Sequence, residues 1–277
     1  MRAGALAGDT LGNSSGIGVI VDSVSAKGMV NVQADNDSML FAGGLFGRAM
    51  AGAVISNSWT DVSVTAEAKG AGYPSAYAGG LVGMGGNNMA IVNAAAFGQV
   101  WGSTPQGDSL VGYAGGLVGM YPGRLWNSYA TGDVTYDRLA SSLHTWAGAL
   151  AGQMTTKASA DHVYHALDSA ITLEAWEGDS YTTQALTGES GSSTKNTSFL
   201  TIEPAGTFPL AEMTGDSFAD TLNANMQSVF NQMRDASLAD VFTLRTWVVS
   251  DGRVVPAGDF WYNDQPDTGV FASGTGT

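Results

Sequence analysis

Cysteine is missing altogether from this chain, which removes disulfides, thiolate metal sites and cysteine nucleophiles together. Basic residues are few: 11 Lys and Arg stand against 25 Asp and Glu, a formal net charge of -14. No cluster of Lys or Arg is available to displace counterions from a polyanion, so no nucleic-acid partner is expected and anionic membrane surfaces are disfavoured. Long apolar runs are absent too. None approaches the roughly 20 residues of a membrane helix, and no membrane insertion is expected. Met1-Arg2 is followed by no signal-like apolar core, so the natural N-terminus is expected to have been removed. Proline is scarce at 7, and the 38 glycines follow no Gly-X-Y period, which excludes collagen and proline-rich disorder. The glycines are left to serve turns and close packing. At 277 residues the chain can bury a sizeable core, and its acidic, cysteine-free composition, rich in Asn, Ser, Thr and Gly, is compatible with bacterial secretion.

What is present is a repeat. The eight residues Tyr77 to Met84 recur unchanged at Tyr113 to Met120. Aligned on their glycines, five blocks appear: Ala3-Gly-Ala-Leu-Ala-Gly8, Ala42-Gly-Gly-Leu-Phe-Gly47, Ala78-Gly-Gly-Leu-Val-Gly83, Ala114-Gly-Gly-Leu-Val-Gly119 and Ala147-Gly-Ala-Leu-Ala-Gly152, at steps of 39, 36, 36 and 33 residues. A fixed period of this size is the mark of a stacked repeat architecture. Columns follow from it: Leu6, Leu45, Leu81, Leu117 and Leu150; Gly8, Gly47, Gly83, Gly119 and Gly152; and the aromatics Phe41, Tyr77, Tyr113 and Trp146.

A second segment follows each inner block, as in Ile55-Ser-Asn-Ser-Trp-Thr-Asp-Val62, Ile91-Val-Asn-Ala-Ala-Ala-Phe-Gly-Gln-Val100 and Leu125-Trp-Asn-Ser-Tyr-Ala-Thr-Gly-Asp-Val134, with Val163 to Ile171 as a degenerate further copy. These segments are short, rich in Val, Ile, Tyr, Trp and Thr, and bounded by Gly, Asn and Asp, which makes them strands. With no helical stretch inside the unit, the period reads as a β-solenoid in which like residues stack about 4.8 Å apart. Leu over Leu then forms an apolar rod. Asn57, Asn93 and Asn127 form an amide ladder at a corner, with His165 expected in the same column. The small column Ser58, Ala94, Ser128 and Ala166 fits a cramped interior, and the glycines are expected to take positive φ at corners or to admit a close backbone.

Ala-Gly-Gly-Leu-Val-Gly, a loop, then Ile/Leu-x-Asn-Ser-Tyr-Ala-Thr-Gly-x-Val resembles the GLUG repeat of bacterial secreted and cell-surface proteins, among them adhesins and the stalk regions of IgA-specific metallopeptidases. The match runs from about residue 3 to about 173 and is closest in the three inner copies; Ala5 and Ala149 replace the second glycine at the ends. What the resemblance implies is a right-handed parallel β-helix belonging to a larger exported protein of the bacterial surface.

Beyond residue 173 the period is lost. Thr187 to Ser198 is a polar loop sequence. From Asp216 to Arg234 the apolar residues Phe218, Leu222, Met226, Val229, Phe230 and Met233 recur at helical steps, and such a helix is expected to lie across the open end of the last coil. Thr243 to Ser250, Asp251-Gly252 and Arg253 to Pro256 read as a hairpin. The expected division is residues 1–178 as solenoid, 179–262 as an irregular coil and cap holding a helix and a hairpin, and 263–277 as a flexible tail.

Candidate chemistry is thin. No Gly-Lys-Ser/Thr follows a glycine block, which argues against a nucleotide cradle, and no cofactor is expected. His162 and His165 stand at i, i+3, which on a strand points to opposite faces, so no metal site is expected there. His-Glu-x-x-His occurs nowhere, so peptidase activity is not carried over. Asp61 and Asp133 are too far apart for the converging carboxylates of a hydrolase, and the repeats hold few basic residues for a lyase. Thr60 and Thr131 in register hint at an ice-binding array, interrupted at Ala96 or Phe97. Trp59, Trp101, Trp126, Trp146 and Trp176 are candidates for sugar stacking, and Asp35-Asn-Asp37 and Gly85-Gly-Asn-Asn88 are incomplete as calcium loops. The expectation is therefore a non-enzymatic, extracellular surface or secreted protein, an adhesin-like domain or a spacer. Its partner, a host or matrix protein or a glycan, would be met in loops such as Val64 to Ala76 and Gly98 to Gly112. The alternative is a carbohydrate-active β-helix enzyme, a polysaccharide lyase or a glycoside hydrolase.

Overall fold

The computed structural model describes every residue except 36–37, 71–73, 105–110, 122, 139–144, 155–157, 176–179, 183–204, 259–260, 264–271 and 274–277. The chain is an all-β parallel solenoid of five rungs. One sheet stacks Arg2–Gly4, Met39–Gly43, Ser75–Gly79, Val111–Gly115 and Thr145–Gly148; a second stacks Ala7–Asp9, Phe46–Ala49, Val82–Gly85, Val118–Tyr121 and Ala151–Met154. The third and largest carries the segments that follow the glycine blocks. Like lies on like: Tyr77 pairs with Tyr113, Ala78 with Ala114 and Ile91 with Leu125, all in parallel.

The rungs close around one apolar core. Leu45, Leu81, Leu117 and Leu150 are buried at its centre with Val64, Val100, Val134 and Ile171 from the facing sheet, while Leu6 on the first rung is half-buried. Ser58, Ala94 and Ser128 are also buried there, but the fifth member of that column is Val163 rather than Ala166, because Ser128 pairs with Val163. The same register puts His162, not His165, opposite Asn127; His165 pairs with Ala130 and is buried. The fifth rung has nine steps from this corner to Ile171 where the fourth has seven from Asn127 to Val134, so the extra residues fall after Ala166.

The corner and the glycine blocks divide the backbone work differently from expectation. Positive φ is taken by Ser23, Asn57, Asn93, Asn127 and His162 (59°, 44°, 59°, 45° and 52°), and not by the block glycines. Asn and His tolerate the left-handed region better than most residues. The glycines instead allow contact between backbones. A Cβ on Gly80 would lie 2.1 Å from Gly116 O, and one on Gly116 2.0 Å from Ala149 O. Gly47 holds the first two sheets together, since its Cβ would lie 2.6 Å from both Ala3 N and Phe41 O.

The helices and hairpin of the C-terminal segment do not lie across the open end of the last coil. After a short 3-10 turn at Glu212–Thr214 it forms two helices, α1 (Asp216–Ala224) and α2 (Met226–Asp235), then the antiparallel hairpin Trp247–Ser250 with Arg253–Pro256, turning at Asp251 and Gly252 with φ of 49° and 71°. This strap runs along the flank of the solenoid, because that flank is aromatic and needs cover. Trp59, Tyr129 and Tyr164 point outward there, and Phe97 fills the gap left by the small Ala95 between Trp59 and Tyr129. Phe218, Leu222, Trp247 and Val254 close over this row. A second patch, Val54, Val92 and Trp126, is closed by Val229, Met233, Leu238 and Phe242.

Strands protect the edges of the large sheet. Ser180–Thr182 pairs with Thr172–Glu174, and Ala205–Phe208 adds to Val163–Ala166 as a partial sixth rung. On the first rung Trp261–Asn263 lies along Val24–Ala26 and Ala272–Ser273 along Val32–Gln33, so the stretch expected as a tail contributes one pairing. The Thr187–Ser198 stretch lies outside the described residues.

Candidate functional site

The corner amides Asn57, Asn93 and Asn127 are fully buried and form a hydrogen-bonded ladder beneath the strap. Asn93 Nδ2 donates to Asn57 Oδ1 at 2.8 Å and Asn127 Nδ2 to Asn93 Oδ1 at 2.9 Å. The same amides also serve the strap: Asn57 donates to Thr243 O at 2.8 Å, Asn93 to Arg245 O at 2.8 Å and Asn127 to Leu222 O at 3.2 Å. Arg245 N returns a bond to Asn57 Oδ1 at 3.0 Å. Asn225, between α1 and α2, finishes the ladder by donating to Asn127 Oδ1 and to the Tyr164 hydroxyl. The ladder is thus a rail on which the strap docks. Stacking was readable from the repeat; the docking was not, since its partners lie 95 to 188 residues away.

The aromatic column forms a separate seam outside the main core. Phe41 and Tyr77 have ring centroids 4.9 Å apart, Tyr77 and Tyr113 5.3 Å, and Tyr113 and Trp146 4.9 Å with planes 12° apart. Met84 and Met120 pack beside it, and Arg2 and Arg48 lie over Phe41 at 5.9 and 6.0 Å while sharing Asp9. Phe41, Tyr77 and Tyr113 are only 4–5% exposed, so these three rings offer almost no face for a sugar to stack on. Burial raises the hydroxyl pKa of both Tyr77 and Tyr113.

The candidate chemical groups are occupied by the fold. Asp61 is paired with Arg253 at 2.6 Å, whose guanidinium also lies 5.1 Å from the Phe97 centroid. Asp133 accepts from Ala170 N, Asp168 from Leu210 N, Asp161 from Gln232, and Asp22 from Ser56 and Asn57. Thr60 and Thr131 are not in register: Thr60 pairs with Ala96, which pairs with Ala130, so the two threonines lie on opposite faces of the sheet. Thr60 is fully buried and donates to Gly80 O. Trp59 and Trp126 lie under the strap, Trp101 and Trp146 are partly exposed, and Trp176 lies outside the described residues.

Among the described residues no three His, Cys, Asp or Glu side chains gather. Of the loops expected to bind, Val64 to Ala68 and Val100 to Thr104 are strand, and 71–73 and 105–110 lie outside the described residues, as do Asn36 and Asp37 of the first calcium candidate. Two open grooves flank the strap. One of about 280 Å³ is apolar, lined by Met226, Phe230, Phe242 and Leu244; the other, about 400 Å³, is lined by Ser14, Ser15, Asn88, Arg124 and Ser237.

No family model matches the chain, and no curated protein matches it. Among solved structures it is similar to one described as "a putative immunoglobulin A1 protease from Bacteroides ovatus", with 19% identity and a TM-score of 0.48. The alignment takes in 77% of this chain and 55% of that one, so the chain spans just over half that structure's length.

Proposed function

We propose that the chain is a non-enzymatic binding module of a bacterial surface or secreted protein, built from GLUG-type repeats and acting in adhesion. The observation that carries this reading is the use of the carboxylates. Asp22, Asp61, Asp133, Asp161 and Asp168 each hold backbone or side chains of the fold together, whereas glycoside cleavage requires two acids free to face one bond. The partly polar groove around Arg124 and the rung corners offer hydrogen-bonding groups on a rigid frame.

The test pairs binding with turnover. The full chain is applied to a glycan array and a panel of extracellular-matrix proteins, and assayed on uronate-containing and neutral polysaccharides. Binding without cleavage is expected. Depolymerisation of any polysaccharide would transfer the chain to the β-helix enzymes.

A further inference from the structure

The fifth rung departs from its column at one corner. Where the inner rungs place Asn57, Asn93 and Asn127, it places His162 in the same left-handed conformation, φ 52°. A further asparagine is not needed to continue the ladder, because Asn225 already supplies the donor to Asn127 Oδ1. The imidazole is free for other work. Beside it stands Asp161, its Oδ2 3.7 Å from His162 Nε2 and hydrogen-bonded by Gln232 Nε2 of α2.

Each of these three side chains keeps a second polar atom that is buried and has no partner: Asp161 Oδ1, His162 Nδ1 and Gln232 Oε1. A buried polar atom left without a partner is destabilising, so three on adjoining side chains is a specific deficit. The deficit has a sign. A carboxylate oxygen and an amide oxygen accept only, and a neutral imidazole offers one lone pair at whichever nitrogen lacks the proton. His162 Nε2 faces the Asp161 carboxylate and keeps its proton toward it, so Nδ1 is the acceptor; one water then donates to two of the three acceptors at most, and a cation answers all three.

We propose that Asp161, His162 and Gln232 form a binding site for one divalent transition-metal ion that fastens α2 to the fifth rung. The donor set is one nitrogen and two oxygens, with water completing the coordination. Imidazole with oxygen ligands suits zinc, manganese or nickel, whereas calcium and magnesium take all-oxygen sets. The ion would be structural, tying residues 71 apart in sequence, and the proposal stands independently of the adhesive reading.

The probe is zinc, added to the full chain after stripping with chelator. Expected are one retained zinc per chain after desalting and a rise in Tm of roughly 5 °C at a hundredfold excess over Kd, with no comparable rise from calcium or magnesium. His162→Ala should keep the far-ultraviolet spectrum and lose both effects. Gln232→Glu separates a metal site from a simple hydrogen bond. Without metal its carboxylate faces Asp161 and lowers Tm; with zinc it should bind at least tenfold tighter than the parent. No zinc retention by the parent, equal retention by His162→Ala, a calcium response in place of zinc, or a Gln232→Glu variant indifferent to zinc would each overturn the proposal.

Discussion

Two residue types do unlike jobs at the turns of this solenoid, and substitution separates them. Gly80→Ala puts a methyl group 2.1 Å from Gly116 O, a clash with backbone that only a shift between rungs can relieve. The expected loss is about 3 kcal/mol, read by urea unfolding. Ala149 shows why the same column tolerates alanine on the fifth rung: no described strand of the first two sheets stacks beyond it. Asn93 combines positive φ with bonds to Asn57 and Arg245. Asn93→Gly keeps the conformation and loses the amide; Asn93→Ala loses both. The alanine variant is expected to be less stable than the glycine variant by about 1 kcal/mol, and equal stabilities would show that the hydrogen bonds alone matter.

At the scale of elements, apolar burial outweighs the ion pair in holding the strap. Trp247 is 2% exposed and packs against Tyr129, which donates to Val254 O. Trp247→Ala should cost about 3–5 kcal/mol and expose the strap to limited proteolysis. The Arg253–Asp61 pair is about one-third exposed on both sides, so Arg253→Ala should cost about 1 kcal/mol or less, with a smaller effect in high salt. If the two variants proved equally damaging in unfolding experiments, the strap would be held electrostatically. The aromatic flank also explains the helix break at Asn225: one side of α1 covers Tyr129 and Tyr164, while α2 turns to Trp126, and Asn225 bonds the corner between them.

For the whole molecule, alkaline pH is the sensitive direction. Tyr129 and Tyr136 are buried, and burial raises the pKa of each well above the ordinary 10.0. In the unfolded chain they ionise near pH 10 while the folded chain keeps its protons. Stability is therefore full below pH 10 and falls above it, by up to about 2.7 kcal/mol per pH unit for the two together. Denaturant midpoints at pH 9 and pH 11 test this; a flat profile would mean that the hydroxyls reach solvent. The strap also limits modularity. Removing one period, residues 78–113, restores a continuous repeat, and β structure should persist by circular dichroism. Yet Asn93 leaves with it, and Arg245 and Leu222 lose their spacing along the rail, so Tm and protease resistance should both fall.

The periodic columns were legible in the sequence because stacking makes each rung the environment of the next: Leu81 sits between Leu45 and Leu117, and the alphabet repeats with the structure. The hairpin was legible from Asp251-Gly252 and the helical stretch from the spacing of Phe218, Leu222 and Val229. Only the tertiary structure decided three things. It placed the helical segment on the flank, because the outward row of Trp59, Tyr129 and Tyr164 is apolar in a way no single strand reveals. It moved the corner of the fifth rung to His162, where two extra residues hide the phase from alignment. And it joined Asp161 and His162 to Gln232, a meeting set by the path of the strap and by no local pattern.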